Sequence, residues 1–325
     1  MALAGENIHR SATLRLPDGR STSLQGRELR CPACGSTAIG KPWAHLANFD
    51  IENCPDCSCL HLAPLPDPDA LRLLYQSSYF QDERETHGYS DYAAEQANVR
   101  RTYEKRLRKA ARLLSSSACS AADSLRVHEV GAALGYGLPV AQKVFGGRVS
   151  ASDISAEAVR ACASMGFESS LADTYGRCAL KDASIDALYL FDVIEHLTNL
   201  PLFLDWSAQA LRPDGILVFT TPDMTHPINK LLGVRSPSIK IPQHVIYFTR
   251  WVLDRLLKPR FEPAFHCWDW QWVSLGQLAS RIRMILGVSA ISAKRSPRAI
   301  LVPNGMRLFV YRRTASGRAA ITQDG

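Results

Sequence analysis

Residues 185–223, IDALYLFDVIEHLTNLPLFLDWSAQALRPDGILVFTTPD, decide the architecture of this chain. The apolar run at 185–191 reads as a buried strand, and the polar residues after it as a short crossover. An amphipathic helix follows, then a Pro-Asp-Gly turn at 213–215, then a second buried strand. The first strand ends in a polar cluster, Asp192, Glu195 and His196. In open α/β sheets, functional groups gather at the carboxyl ends of strands, so chemistry is expected here first.

A second unit lies upstream, VHEVGAALGYG at 127–137 and VSASD at 149–153. Residues 126–130 read as a strand, Gly131 and Gly135 punctuate the loop after it, and 139–145 have helical spacing ended by Gly146 and Gly147. Such a loop lets backbone N–H groups and a helix N-terminus approach an anionic ligand group. Asp153 closes the next strand, a position from which a carboxylate can bind two ribose hydroxyls. Taken alone, the same residues also suit an ordinary βα turn. Residues 155–165 then carry apolar residues at helical spacing after a serine cap, and 166–173 read as a third strand ending in Asp173.

Together these segments resemble class I S-adenosylmethionine-dependent methyltransferases, where an acidic strand end is followed by "D-V-I-E-H-L" and later "L-R-P-D-G". Glu129, two residues before the first glycine, resembles the methyltransferase E/D-x-G-x-G-x-G loop rather than the dinucleotide G-x-G-x-x-G. Ala133 departs from it at the middle glycine; alanine is compatible with negative φ, so a slightly displaced loop is expected. The resemblance implies a Rossmann-like α/β fold with a seven-stranded, mostly parallel sheet. It implies S-adenosylmethionine as cofactor, bound by Glu129, Gly131, Ala133, Gly135, Asp153, Ile154, Asp173 and Asp192, with Asp173 near the adenine amine. Residues 242–257 and the phenylalanine-led stretch at 261–268 are similar to the segment that follows the fifth strand in small-molecule methyltransferases. Thr249 is the expected cap of a helix at 250–258, and 306–313 alternate as a closing strand. Between them, 273–303 hold a helix and a Lys/Arg/Ser/Pro-rich loop that match no motif.

The amino-terminal third differs in kind. Cys31, Cys34, Cys54 and Cys57 form C-x2-C–x19-C-x2-C, within zinc-ribbon spacing. Four thiolates on two tight knuckles satisfy tetrahedral Zn²⁺ and leave no open position, which makes the expected zinc structural. Cys59 is a spare thiol able to replace Cys57 as fourth ligand. The run at 60–80 resembles the junction of proteins that fuse such a knuckle to this catalytic domain. The expected organisation is a flexible segment at 1–30, the cysteine module at 31–65, linking helices at 66–120, the methyltransferase domain at 121–313 and a tail at 314–325. The module and the catalytic domain are expected to have separate cores.

Composition bounds the remaining choices. The chain has 325 residues, 46% of them hydrophobic, which suits a globular protein of two units. Residues 1–30 are polar, without the apolar core of a signal peptide or a membrane span. Cys119, Cys162, Cys178 and Cys267 are scattered and read as free thiols, which fits a cytoplasmic protein. A net charge of +7 is concentrated at 100–112 and from Arg295 onward, so nucleic acid is a second-ranked partner. Tyr103, Leu107, Ala110, Ala111 and Leu114 give the first of those stretches an apolar stripe, and its basic face reads as solvated.

Since the sulfonium is already a strong methyl donor, the protein's main task is to align the acceptor, with a base where the acceptor is oxygen or nitrogen. His196 is the first candidate base and His244 the second. Asp192, Glu195 and His196 also match an E-x-x-E-H divalent-metal pattern, which would take Mg²⁺; this ranks below the metal-free reading, in which Glu195 and His196 orient the loop. The leading function is methyl transfer to a small-molecule or glycan-type acceptor at oxygen. The alternatives are an RNA or protein methyltransferase that docks through the zinc module, and a non-catalytic binding or scaffold protein suggested by Ala133 and Leu134.

Overall fold

The computed structural model describes residues 11–15, 21–25, 30–46, 49–66, 95–115, 125–286 and 298–314. Cys119, most of the junction at 60–80, much of the loop at 287–303 and the tail beyond Thr314 lie outside them. At its centre is a seven-stranded sheet. Its strands are β6 (Arg126–Val130), β7 (Arg148–Asp153), β8 (Glu168–Leu171), β9 (Ile185–Phe191), β10 (Leu211–Pro222), β12 (Phe261–Ser274) and β13 (Ala299–Arg313), in the order β12-β13-β10-β9-β6-β7-β8. Strand β13 runs antiparallel to both of its neighbours, and the remaining pairs are parallel. The expected mostly parallel, Rossmann-like sheet is therefore present.

The central strands have no solvent face. All seven residues of β9 are buried, the pattern of a parallel strand covered on both sides. Because side chains alternate along a strand, β9 sends Leu188 and Leu190 to one core and Ala187, Tyr189 and Phe191 to the other. Helices α1 (Gln96–Ser115) and α2 (Leu138–Phe145) cover the second face, while α4 (Leu200–Ala210) and α6 (Arg250–Leu257) cover the first; the short α3 (Ala156–Ser164) links β7 to β8. Local signals work as read: Ser155 Oγ accepts the Ala158 N–H, Thr249 Oγ1 accepts the Val252 N–H, and Gly146 ends α2 at φ 73°.

The chain leaves β6 towards β7 on one side and returns to β9 on the other. The crevice between the carboxyl ends of β6 and β9 is thus the topological switch point of the sheet.

At the amino-terminal end, β1 (Ser11–Arg15) and β2 (Ser21–Gln25) pair as a hairpin. The cysteine module supplies β3 (Lys41–Leu46), β4 (Phe49–Asn53) and β5 (Leu60–Ala63). These form a four-stranded sheet whose fourth member is β11 (Ile246–Tyr247), from the catalytic part of the chain. Cys31, Phe49, Ile51, Cys54 and Leu62 pack in the same cluster as Leu188, Ile194, Phe203 and Tyr247. The expected separate cores are thus corrected to one continuous core. The reason is burial: the module's apolar residues pack into one cluster with those of β9, α4 and β11.

Candidate active site

The loop after β6 holds its shape through backbone conformation. Gly131, Ala133 and Gly135 have φ of 74°, 49° and 72°. A Cβ on Gly131 would lie 2.5 Å from Val193 Cγ2, so the loop presses against the end of β9 and admits no side chain there. The expectation that Ala133 keeps a negative φ is corrected: it adopts the left-handed geometry that the missing glycine would take freely. Its N–H donates to Asp153 Oδ2 at 2.8 Å, which holds the strained residue in place. Asp153 Oδ1 accepts the Ser155 N–H at 2.8 Å, and burial pushes its carboxyl above the ordinary range. Ile154 follows it, half-buried.

Glu129 is completely buried at the end of β6. Its Oε2 accepts the Tyr189 hydroxyl at 2.7 Å, while Oε1 has no partner among the described residues. Burial pushes the carboxyl up to about 8. An orphaned buried carboxylate oxygen under a loop of left-handed residues suits a ligand that carries a cationic group, as the methionine end of S-adenosylmethionine does. Asp173 is committed within its own turn. It accepts the N–H groups of Tyr175 and Arg177 at 2.9 Å each and the Arg177 Nε at 2.8 Å, and it borders a cavity of about 490 Å³ together with Cys178 and Trp206.

Asp192 ends β9 at φ 59°. Thr220 donates its hydroxyl to Asp192 Oδ1 at 2.6 Å, and Arg106 lies 3.8 Å from Oδ2. Arg106 is a residue the sequence reading missed. Its guanidinium is buried, donates twice to Asp269 Oδ2 at 2.7 and 3.1 Å, and stacks on Phe191. The basic face of α1 is therefore only partly solvated, contrary to expectation. The signal was in the spacing, because Arg106 lies three residues after Tyr103 and four before Ala110, on the apolar stripe itself.

Beyond Asp192, the structure brings together Glu195, His196 and His244, whose ligand atoms all lie within 4.8 Å of one another. Among the described residues neither buried Glu195 oxygen has a hydrogen-bond partner, and burial pushes the carboxyl up to about 8. His196 Nδ1 donates to Gln243 O at 2.7 Å and His244 Nδ1 to Ser238 O at 2.8 Å. Each carbonyl can only accept, so both imidazoles carry their proton on Nδ1. Burial lowers both, His196 to about 4, so both are neutral at physiological pH. Asp192 stays outside this cluster, and the sequence-based trio of Asp192, Glu195 and His196 is corrected: His244 takes the place given to Asp192. Two imidazole nitrogens and one carboxylate suit a transition ion better than the Mg²⁺ of that reading.

The four knuckle cysteines also converge, with Sγ atoms 3.6 Å apart for Cys31–Cys57 and 3.7 Å for Cys34–Cys54. Gly35 N–H donates to Cys31 O and Ser58 N–H to Cys54 O, both at 2.8 Å, with Gly35 and Ser58 at positive φ, so the two knuckles repeat one turn. Four free thiols at these separations fit tetrahedral Zn²⁺. Cys59 is not among them; its thiol donates to Tyr247 O at 3.5 Å.

The family model for a methyltransferase domain matches residues 96–260, half of the chain, and the chain belongs to that family. It is an S-adenosylmethionine-dependent class I methyltransferase. No curated protein matches it. Among solved structures it is similar to the complex between the Haloferax volcanii Trm112 methyltransferase activator and a methyltransferase, at 14% identity over 68% of this chain and 96% of that one, TM-score 0.45. It is also similar to an S-adenosylmethionine-dependent methyltransferase from Mesorhizobium loti, at 17% identity over 63% and 96%, TM-score 0.42. No helix among the described residues is long and apolar enough to cross a membrane.

Proposed function

We propose that the enzyme transfers the methyl group of S-adenosylmethionine to a hydroxyl of a small-molecule or glycan-type acceptor. In this reading the cofactor lies over Gly131–Gly135, its ribose on Asp153 and its methionine end towards Glu129. The observation that carries the acceptor class is the recessed Glu195–His196–His244 corner beside the strained Asp192. A hydroxyl needs a proton acceptor as it attacks, and His196 offers a neutral imidazole whose ring is oriented by Gln243 O. Glu195 and His244 are only 1% and 5% exposed, a depth that a small acceptor reaches more readily than a folded macromolecule. The RNA reading is weakened because part of the basic helix is consumed by Asp269.

The donor side is tested by titrating S-adenosylmethionine calorimetrically into the purified protein; no binding would end the proposal. With an acceptor in hand, His196→Ala is expected to lower turnover by about 10²–10⁴-fold and leave cofactor affinity unchanged. Normal turnover would remove His196 as base.

A second reading is favoured by the two Glu195 oxygens, unpartnered among the described residues, which suit a divalent transition ion shared with His196 and His244. Such an ion would bind the acceptor hydroxyl and lower its pKa. Metal binding would then release a proton from Glu195 near neutral pH, and Glu195→Gln would abolish the release. Calorimetry with Mn²⁺ in buffers of different ionisation enthalpy measures it, and an unchanged heat across buffers rejects this version.

A further inference from the structure

The cysteine module reaches the histidine corner through backbone hydrogen bonds at three places. Pro32 O, in the first knuckle, accepts the Leu200 N–H at 2.8 Å, four residues after His196. Leu62 N–H donates to Val245 O at 2.9 Å, and Val245 N–H donates in turn to Glu195 O at 2.9 Å. Strand β5 pairs with β11 through His61–Ile246 and Leu60–Tyr247. Two side-chain links run beside these: the Cys59 thiol to Tyr247 O, and the Arg255 guanidinium to Cys57 O. Val245 thus sits between the module and Glu195, and the residue before it is His244.

A two-residue strand cannot hold its own register, because most of its hydrogen bonds come from its partners. Val245, Ile246, Tyr247, Leu62 and Cys59 are all at most 1% exposed, so the contact is a packed core rather than a surface touch. The loop that binds the cofactor is built differently. Gly131 and Ala132 donate to Ser152 O, and Ala133 to Asp153, with no hydrogen bond to the module among the described residues.

We infer that the metal-loaded cysteine module is a positioning element for the acceptor side of the active site, holding His244 and the Glu195–His196 turn together, and that it leaves the cofactor side alone. The inference rests on reading the histidine corner as the acceptor side. A structural metal supplies folding energy, and here that energy is delivered to strand β11. The cysteine site then sets whether the two imidazoles converge, so metal loss or thiol oxidation would disable the acceptor side while the cofactor site stays formed.

The test uses the full-length protein, stripped of zinc with a chelator and then reloaded with Zn²⁺. Hydrogen exchange and calorimetry with S-adenosylmethionine are the readouts. Stripping is expected to speed exchange of the Leu62, Leu200 and Val245 amides by about tenfold or more, while amides of β6 and β7 stay protected. Cofactor affinity is expected to change by less than about threefold, and reloading is expected to restore protection. Cys59→Ala and Arg255→Met keep all four ligands and cut one link each; both are expected to loosen Val245 at unchanged zinc content. Exchange that rises across the whole sheet together with loss of cofactor binding would overturn the inference, making the module a general folding prop. Unchanged exchange at Leu62, Leu200 and Val245 after zinc removal would also overturn it. If local opening is seen but His196→Ala turns over normally, the coupling stands and the acceptor-side assignment fails.

Discussion

The proposed cofactor corner draws its groups from one contiguous stretch, Glu129 to Asp173, in which each strand end is followed by the loop that completes it. The histidine corner is assembled from segments far apart in the chain: the turn Ile194–His196, the stretch from Ser238 to Phe248, and the knuckles that brace both. Their polar chemistry differs as well. In the first corner, Asp153 and the Ser152 carbonyl hold the loop by its own amides. In the second, the two buried Glu195 oxygens have no hydrogen-bond partner among the described residues and two neutral imidazoles for company. A site closed by local bonds can bind as soon as its strands form, whereas one closed by long-range bonds depends on everything that holds those segments together. Asp192 is the joint between them, with Val193 against Gly131 on one side and Glu195 on the other.

The strongest way to break the comparison is to cut that joint. Arg106 is buried against Asp269, itself 1% exposed, and leans on Asp192. Removing one partner of a buried ion pair leaves the other charge uncompensated, so Arg106→Met is expected to cost about 3–5 kcal/mol of stability by denaturant titration. Arg106→Met with Asp269→Leu should recover part of it, since both charges then leave the interior. A loss below about 1 kcal/mol in the single variant would show that the pair contributes little to holding the two corners in one frame.

What the sequence allowed to be read divides along the same line. Strand–loop–helix order, the Ser155 and Thr249 caps and the helix Leu275–Leu286 follow from short-range patterns and stand as expected. The seven-stranded, mostly parallel sheet follows from the family resemblance. The pairing of β5 with β11 does not, because nothing in a two-residue strand announces its partner 187 residues away in Leu60–Tyr247 register. Arg106 was hidden for a related reason: a charge on an apolar stripe is read as solvated until its partner, Asp269, is known to lie above it. His244 is legible in the sequence as the second candidate base, but its convergence with Glu195 needs the fold.

A mid-sized effect sharpens the cofactor corner alone. Asp153→Ala removes the acceptor of the Ala133 and Ser155 amides and the proposed ribose contact. Charge-assisted bonds are each worth about 1.5–3 kcal/mol, so cofactor affinity is expected to fall by about tenfold or more in calorimetry. Protection of Val245, in the other corner, is expected to stay as in the wild type. Equal loosening of both corners would show that they are one cooperative unit.

The smallest expected effect concerns Ala133. Its φ of 49° places an L-residue where the Cβ crowds the following carbonyl, at a cost of about 1–2 kcal/mol. Ala133→Gly relieves that strain but frees the unfolded chain, which offsets about 0.5–1 kcal/mol. The balance is a stabilisation of up to about 1 kcal/mol, visible as a rise of a few degrees at most in Tm for a chain of this size. The hydrogen bond from residue 133 to Asp153 survives, because glycine keeps the N–H that makes it. Cofactor affinity should therefore hold or improve slightly. A drop in Tm would mean that Ala133 is relaxed in its left-handed conformation and that Asp153 does not hold the loop against strain.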